Sequence, residues 1–155
     1  MLKVKVSGLK EIEKGLFELK SGTAKGAVRR SLKKAGELLA ADAAARAPRS
    51  TPDMGAEGHI GDSFVVTGRL TRYARRPRRK DEVHVAVGPS LAKGSPGFVA
   101  AFQEFGTAHH GPQPFFRPAW DHSQHEMLGL IVRDMRVQVE KAVARARRKA
   151  ARSGR

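Results

Sequence analysis

The sequence has 155 residues, no cysteine and a formal net charge of +15, from 30 Lys and Arg against 15 Asp and Glu. A chain of this length suits one domain with an ordinary core, and the lack of cysteine excludes disulfides, thiolate metal sites and a Cys nucleophile. No apolar run approaches the roughly 18–20 residues of a membrane span, so no membrane partner is expected. The surplus of positive charge favours an anionic partner, above all nucleic acid.

The first third of the chain is predicted to hold a strand and two helices. Apolar residues alternate with lysines over 2–6, which is typical of a half-buried strand. An apolar stripe at helical spacing begins at Leu9, and this first helix is expected to end at Ser21-Gly22. A longer, alanine-rich helix is predicted from about residue 25 to 47, where Pro48 stops it.

The middle of the chain is predicted to form a loop and three strands. Residues 49–61 carry Pro and Gly without periodicity, which indicates a surface loop. Strands are predicted over 63–67, 70–76 and 82–87, and their short connections favour an antiparallel sheet. In the last strand the three valines are expected to face the core, while His84 points outward.

Aromatic residues are concentrated between Phe98 and Trp120, a segment that holds five of the seven Phe and the only Trp. The first three, Phe98, Phe102 and Phe105, recur at helical spacing on one face of a predicted short helix that ends at Gly106. A loop rich in Gly and Pro follows. Two interpretations are open: the aromatic side chains fill the core, or some of them are rigid anchors for a partner.

A long helix is predicted to begin near Pro118 and to run to about Arg148. Its last stretch has only small apolar residues, so residues 144–155 are expected to be a disordered basic tail on a single domain of residues 1–143. The predicted fold class is α+β, with a small antiparallel sheet packed by two N-terminal helices and the long C-terminal helix.

Two short stretches also resemble a known family. The residues FQEFGT at 102–107, followed by PFFRPA at 114–119, are similar to the signature of the small neck or tail-completion proteins of long-tailed double-stranded DNA phages. Further short matches occur in the same order along the chain: Ser7 to Leu9, Ala47-Pro48, Thr67 to Leu70, and Val85 to Gly88. In the family pattern the Ala-Pro leads to the Thr-Gly within a few residues, whereas about twenty intervene here.

The resemblance implies a structural virion protein, made in the host cytoplasm and located at the neck, the head-proximal end of the tail. It implies a ring of six copies, or alternatively twelve, that joins the DNA-filled head to the tail tube and surrounds the DNA channel. The implied partners are further copies of the chain, head-closure proteins, tail-terminator or tail-tube proteins, and genomic double-stranded DNA contacted without sequence specificity. No enzymatic activity and no cofactor are implied.

In such a ring the aromatic segment would supply contacts to a neighbouring subunit or protein. We expect at least one of Phe115 and Phe116 to be largely exposed in a lone subunit, because they follow a loop instead of lying on a periodic stripe. The candidate interface residues are Phe102, Phe105, Gly106, Thr107, Pro114, Phe115, Phe116, Arg117 and Pro118.

Seven basic residues and no acid lie between Arg69 and Lys80. A solvated hairpin on the outside of the protein would explain this run, but it also offers candidates for a DNA channel: Arg72, Arg75, Arg76, Arg78, Arg79 and Lys80. From charge alone, the alternative function is a free-standing DNA-binding protein that contacts phosphates without reading bases. The sequence has no recognisable helix-turn-helix, zinc finger or ribbon motif that would support this alternative.

Candidate chemistry is sparse. A candidate metal site consists of His109, His110, His122 and His125 with Asp121, but loop imidazoles need carboxylates to orient them and few acids are near. Surface or interface histidines are the favoured interpretation. No nucleophile elbow, phosphate loop or pair of strand carboxylates is present, so an enzyme is not expected.

Overall fold

The computed structural model describes residues 9–17, 19, 21–49, 59–68, 82–92 and 95–153. The helices and strands in this part of the chain are α1 (Leu9–Phe17), α2 (Ser21–Arg46), β1 (Phe64–Thr67), β2 (Ala86–Pro89), α3 (Ala100–Phe105) and α4 (Phe116–Ser153). Short 3-10 helices, Ile60–Ser63 and Pro96–Val99, precede β1 and α3. The predicted α+β class is therefore confirmed. Among the described helices, none combines the length and the apolar character that crossing a membrane requires.

The two long helices, α2 and α4, pack against each other in antiparallel directions. Ser31 on α2 donates a hydrogen bond to Asp134 on α4, with 2.7 Å from Oγ to Oδ2. Further along, Asp42 of α2 lies 3.0 Å from the Oγ of Ser123. Small buried residues, above all Ala35 and the alanine two turns further along α2, let the helices approach closely. This pair therefore forms the frame on which the other elements rest.

The sheet covers one face of α2. Strands β1 and β2 pair antiparallel, with Phe64 opposite Pro89 and Thr67 opposite Ala86, as the short connections predicted. A Cβ at Gly36 would lie 2.9 Å from methyl groups of both Val66 and Val87. Any side chain at this position would push the sheet away, so the glycine is required for the contact between α2 and the strands.

Helix α1 packs on the C-terminal half of α4. Its buried residue is Ile12, and a Cβ at Gly15 would collide with Val139 of α4. The predicted end of this helix was wrong: α1 ends at Phe17, and Ser21 begins α2. The physical reason is that Ser and Gly suit a helix start as well as a helix end, and periodicity alone does not distinguish the two.

Other predicted boundaries fall partly outside the described residues. The strand over 63–67 is confirmed as β1. The strand predicted over 82–87 is displaced to Ala86–Pro89, because its pairing with β1 extends through Gly88 instead of stopping there. The predicted strands over 2–6 and 70–76, and most of the predicted loop 49–61, lie outside the described residues. Helix α4 continues to Ser153, beyond the expected end near Arg148.

Candidate interaction surface

A single carboxylate joins α3 to the start of α4. The side chain of Glu104, on α3, accepts hydrogen bonds from three successive backbone N–H groups. Its Oε2 lies 2.8 Å from the N of Phe115 and 2.9 Å from that of Phe116, and its Oε1 lies 3.1 Å from that of Arg117. Glu104 thus caps α4 from a helix that ends eleven residues before α4 begins.

The cap accounts for the backbone donors at the start of α4, where the first four N–H groups of any helix have no partner within it. Those of Phe116 and Arg117 are bound by Glu104. Pro118 lies in the first turn of α4, as predicted, and as a proline it has no N–H that needs a partner. The N–H of Ala119 donates to the carbonyl of Phe115, at 3.2 Å, and begins the helical ladder. Every backbone N–H group in this first turn therefore has a hydrogen-bond acceptor.

The charge of Glu104 is stabilised by the same contacts. Burial alone would raise the pKa of this carboxyl, but the backbone hydrogen bonds from Phe115, Phe116 and Arg117 and the charge of Arg117 outweigh it. The pKa of Glu104 is therefore lowered from its ordinary value of 4.5. A negative charge at the N-terminal end of α4 is also favoured by the helix dipole.

The loop between α3 and α4 folds back on itself. Gly106 has φ 78°, in the left-handed region, and ends α3 as the sequence predicted. A Cβ at this glycine would lie 2.9 Å from the N of Pro112. The hydroxyl of Thr107 accepts from the N–H groups of His109 and His110, and Gln113 donates to the carbonyl of Gln103, at 2.7 Å. These bonds fix the positions of both loop ends.

The aromatic pair that follows the loop belongs to the core, and the expectation that one of the two would be largely exposed was wrong. Phe115 is 2% exposed, in a cluster with Ile60 and Val99. Its ring meets that of Phe64 edge-on, with centroids 6.1 Å apart. Phe116 is partly buried, and its ring stacks parallel to that of Phe64, with centroids 6.0 Å apart. The Glu104 cap turns both side chains toward β1, which a sequence pattern could not reveal.

The exposed aromatic residues lie instead along α3 and at the start of α4. Phe98 is 49% exposed, Phe102 50%, Phe105 70% and Trp120 46%. The first three follow one another at helical spacing, as predicted, but this face of α3 points to solvent. We name these four residues the aromatic surface. Of the other predicted interface residues, Thr107, Pro114, Arg117 and Pro118 are exposed, and Gly106 is partly buried.

A groove of about 460 Å³ adjoins the aromatic surface. Its walls are β2, α3 and the first turns of α4, and Phe105 and Trp120 flank it. The partly buried Phe116 and the apolar parts of Val87 and Pro89 line it as well. Since Glu104 holds two of these walls together, the shape of the groove depends on the cap.

The histidines are dispersed. His109 and His110 lie in the loop after α3, and His122 lies on α4, where its Nδ1 is 3.0 Å from Asp42 of α2. Burial tends to raise the pKa of Asp42, but hydrogen bonds from Arg46, Ser123 and His122 lower it below its ordinary value. Within the described residues, no group of three or more His, Asp and Glu side chains is placed to hold a metal ion.

The predicted DNA-channel residues between Arg72 and Lys80 lie outside the described part of the chain. Their role stays a prediction.

Comparison with known proteins decides the family. A family model described as "Bacteriophage HK97-gp10, putative tail-component" matches residues 10–106. This span is 97 of the 155 residues, well over half of the chain. The protein belongs to the HK97-gp10-like family of phage tail components. The resemblance to a phage neck or tail-completion family is thus confirmed, and a structural role in the phage tail follows from membership. No curated protein and no solved structure matches the chain.

The family match ends at Gly106, so in this HK97-gp10-like protein it includes Glu104 but not the helix that Glu104 caps. In the sequence, Glu104 lies within the FQEFGT motif, but nothing in the pattern indicates a capping role. The sequence signal for this cap is weak. An acidic residue twelve positions before a helix start is common, and it contacts that helix only when the intervening loop folds back. Phe98 and Trp120, which also belong to the aromatic surface, are not among the predicted interface residues.

Proposed function

We propose that this tail component assembles into a ring at the junction of the DNA-filled head and the tail tube, with the aromatic surface as the contact between subunits. The observation that carries the proposal is the exposure of Phe98, Phe102, Phe105 and Trp120 on rigid helical elements. Exposed aromatic residues beside an apolar groove mark interaction sites in proteins. A tail component acts in a particle made of protein subunits, where such a surface has a partner.

The size of the aromatic surface fits a contact of this kind. An aromatic side chain presents roughly 150–250 Å². With about half of each of four side chains exposed, the surface amounts to roughly 400 Å². A specific interface needs about 800 Å² on each partner. The aromatic surface would therefore form about half of one face, and the adjoining groove extends it.

A matched pair of substitutions tests the proposal. Phe105 is 70% exposed on the aromatic surface, and Phe17 is 83% exposed on α1. Neither Phe105→Ser nor Phe17→Ser should change the free energy of unfolding by more than about 0.5 kcal/mol, since both side chains are exposed. In phage that depend on the supplied protein, F105S should sharply lower the number of heads joined to tails, while F17S should not. Joined particles are counted by electron microscopy.

Two results would refute the ring. The first is normal joining with F105S in a phage whose own copy is removed. The second is absence of the protein from purified particles while it is found bound to DNA in the cell, which would favour the free-standing DNA-binding protein. If the ring forms, native mass measurement of the protein with its neighbours gives the number of copies, for which six is expected and twelve is the alternative.

A further inference from the structure

A second groove, with a volume of about 660 Å³, lies between the start of α2 and the C-terminal part of α4. Its floor is built from glycines and alanines, and its charged lining residues are Arg30, Arg145 and Lys149. Neither acidic nor aromatic residues line it within the described part of the chain. The groove is therefore lined by positive charge alone.

Arg30 is held in place over this groove. Its Nε donates to Oε1 of Gln138 on α4, at 3.2 Å. Its Nη1 lies over the floor, 3.6 Å from where a Cβ at Gly26 would be. One edge of the guanidinium is thus fixed by the protein while the other faces the groove. On the opposite wall Arg145 and Lys149 are one helical turn apart, about 6 Å along α4, so the three cations surround a common space.

The surroundings reinforce the charge of the groove. Residues 21–36 of α2 include five Lys and Arg and no acid. Residues 141–153 of α4 include six and no acid. Because α2 and α4 are antiparallel, these two segments lie side by side, and their fields add at the groove. A polyanion is attracted to this end of the molecule more strongly than to any face that carries mixed charges.

We propose that this groove binds the phosphate backbone of double-stranded DNA. Three convergent cations without a base-reading pattern suit phosphates, which carry no sequence information. The lack of aromatic lining residues argues against a single strand, since such sites stack bases on aromatic rings. This proposal rests on the proposed function, because the channel of the ring is the place where the protein would meet DNA. It assigns DNA contact to described residues of α2 and α4 instead of the run between Arg72 and Lys80.

The test compares two triple variants that remove the same charge. The first is Arg30→Gln, Arg145→Gln and Lys149→Gln in the groove, and the control is Lys10→Gln, Arg49→Gln and Arg133→Gln on exposed positions elsewhere. Binding to a fluorescent 30-base-pair duplex is measured by anisotropy over a range of salt concentrations. Each phosphate contact contributes about 0.9 to the slope of log affinity against log salt. The groove variant should lose about 2.7 of that slope, and the control less than about 1.

Several results would contradict the assignment of DNA binding to this groove. An unchanged slope in the groove variant, or an equal loss in the control, would overturn the assignment, as would loss only with Arg75→Gln, Arg76→Gln and Arg79→Gln. Displacement of the duplex by polyglutamate at equal charge would show a general polyanion surface and would also overturn it. Circular dichroism and melting confirm that each variant is folded. Failure of the ring proposal is seen separately, as absence of the protein from purified particles, and does not depend on these affinities.

Discussion

Replacing Glu104 tests whether the fold of the aromatic segment depends on one carboxylate. Glu104→Ala leaves three backbone N–H groups without their acceptor. Loss of a helix cap destabilises a protein by about 0.5–2 kcal/mol, and loss of a charge at a helix N-terminus by about 0.3–1 kcal/mol, or up to ~2 when partly buried. We therefore expect the free energy of unfolding to fall by about 2–3 kcal/mol. For a chain of this size the Tm should fall by roughly 4–12 °C.

Glu104→Gln should give an intermediate result. The amide keeps one oxygen, which can still accept from Phe115 and Phe116, but it turns an NH2 group toward the N–H of Arg117. The exposed Glu126→Ala on α4 is the control, and it should change the free energy of unfolding by less than about 0.5 kcal/mol. Thermal and denaturant unfolding of the purified subunits at pH 7 measure all three variants.

The pH dependence gives a second check. Because the pKa of Glu104 is lower in the folded state than its ordinary value of 4.5, the unfolded state binds the proton more tightly. The stabilisation by Glu104 is fully present above about pH 4.5 and is lost as the pH falls through the lower folded pKa. The difference in stability between the native sequence and E104A should therefore shrink at acid pH. A difference that is absent at pH 7, or that stays constant down to pH 2, would refute the capping role.

One further substitution and one deletion test the placement of residues around this cap and at the end of α4. Phe115→Ala should destabilise the subunit by about 3–5 kcal/mol and lower its Tm by roughly 6–20 °C, since the side chain is 2% exposed and meets Phe64. The Tm is measured by calorimetry. A shift of only a degree or two would show that Phe115 is not a core residue. Deleting residues 144–155 removes six positive charges and no large apolar side chain, so the free energy of unfolding should change little while DNA affinity falls. Failure of the truncated chain to fold would show that the end of α4 is needed for the domain.

The helical part of the fold was predictable because periodicity is strong there, as with the alanine-rich stripe of α2 and the stop at Pro48. The burial of Phe115 and Phe116 was not predictable in this way. Phe115 follows a Gly and Pro loop and resembles an exposed anchor in sequence, but its side chain is 2% exposed. The structure reverses this expectation, because the contact of Glu104 with the start of α4 sets the direction in which the ring points. A bond between residues eleven to thirteen apart through a folded loop leaves no periodic trace in the sequence.

The magnitudes also bear on how such a ring would assemble. Covering about 400 Å² of aromatic surface at about 25 cal/mol per Å² contributes roughly 10 kcal/mol. Association of two proteins costs about 4–15 kcal/mol before any side chains are ordered. The two quantities are of similar size, and a formal charge of +15 on every subunit adds repulsion between copies. On the ring proposal, the aromatic contact alone therefore leaves isolated subunits largely monomeric. Assembly then needs either a neighbouring tail protein that covers the groove beside Trp120 or DNA phosphates that neutralise the basic ends of α2 and α4.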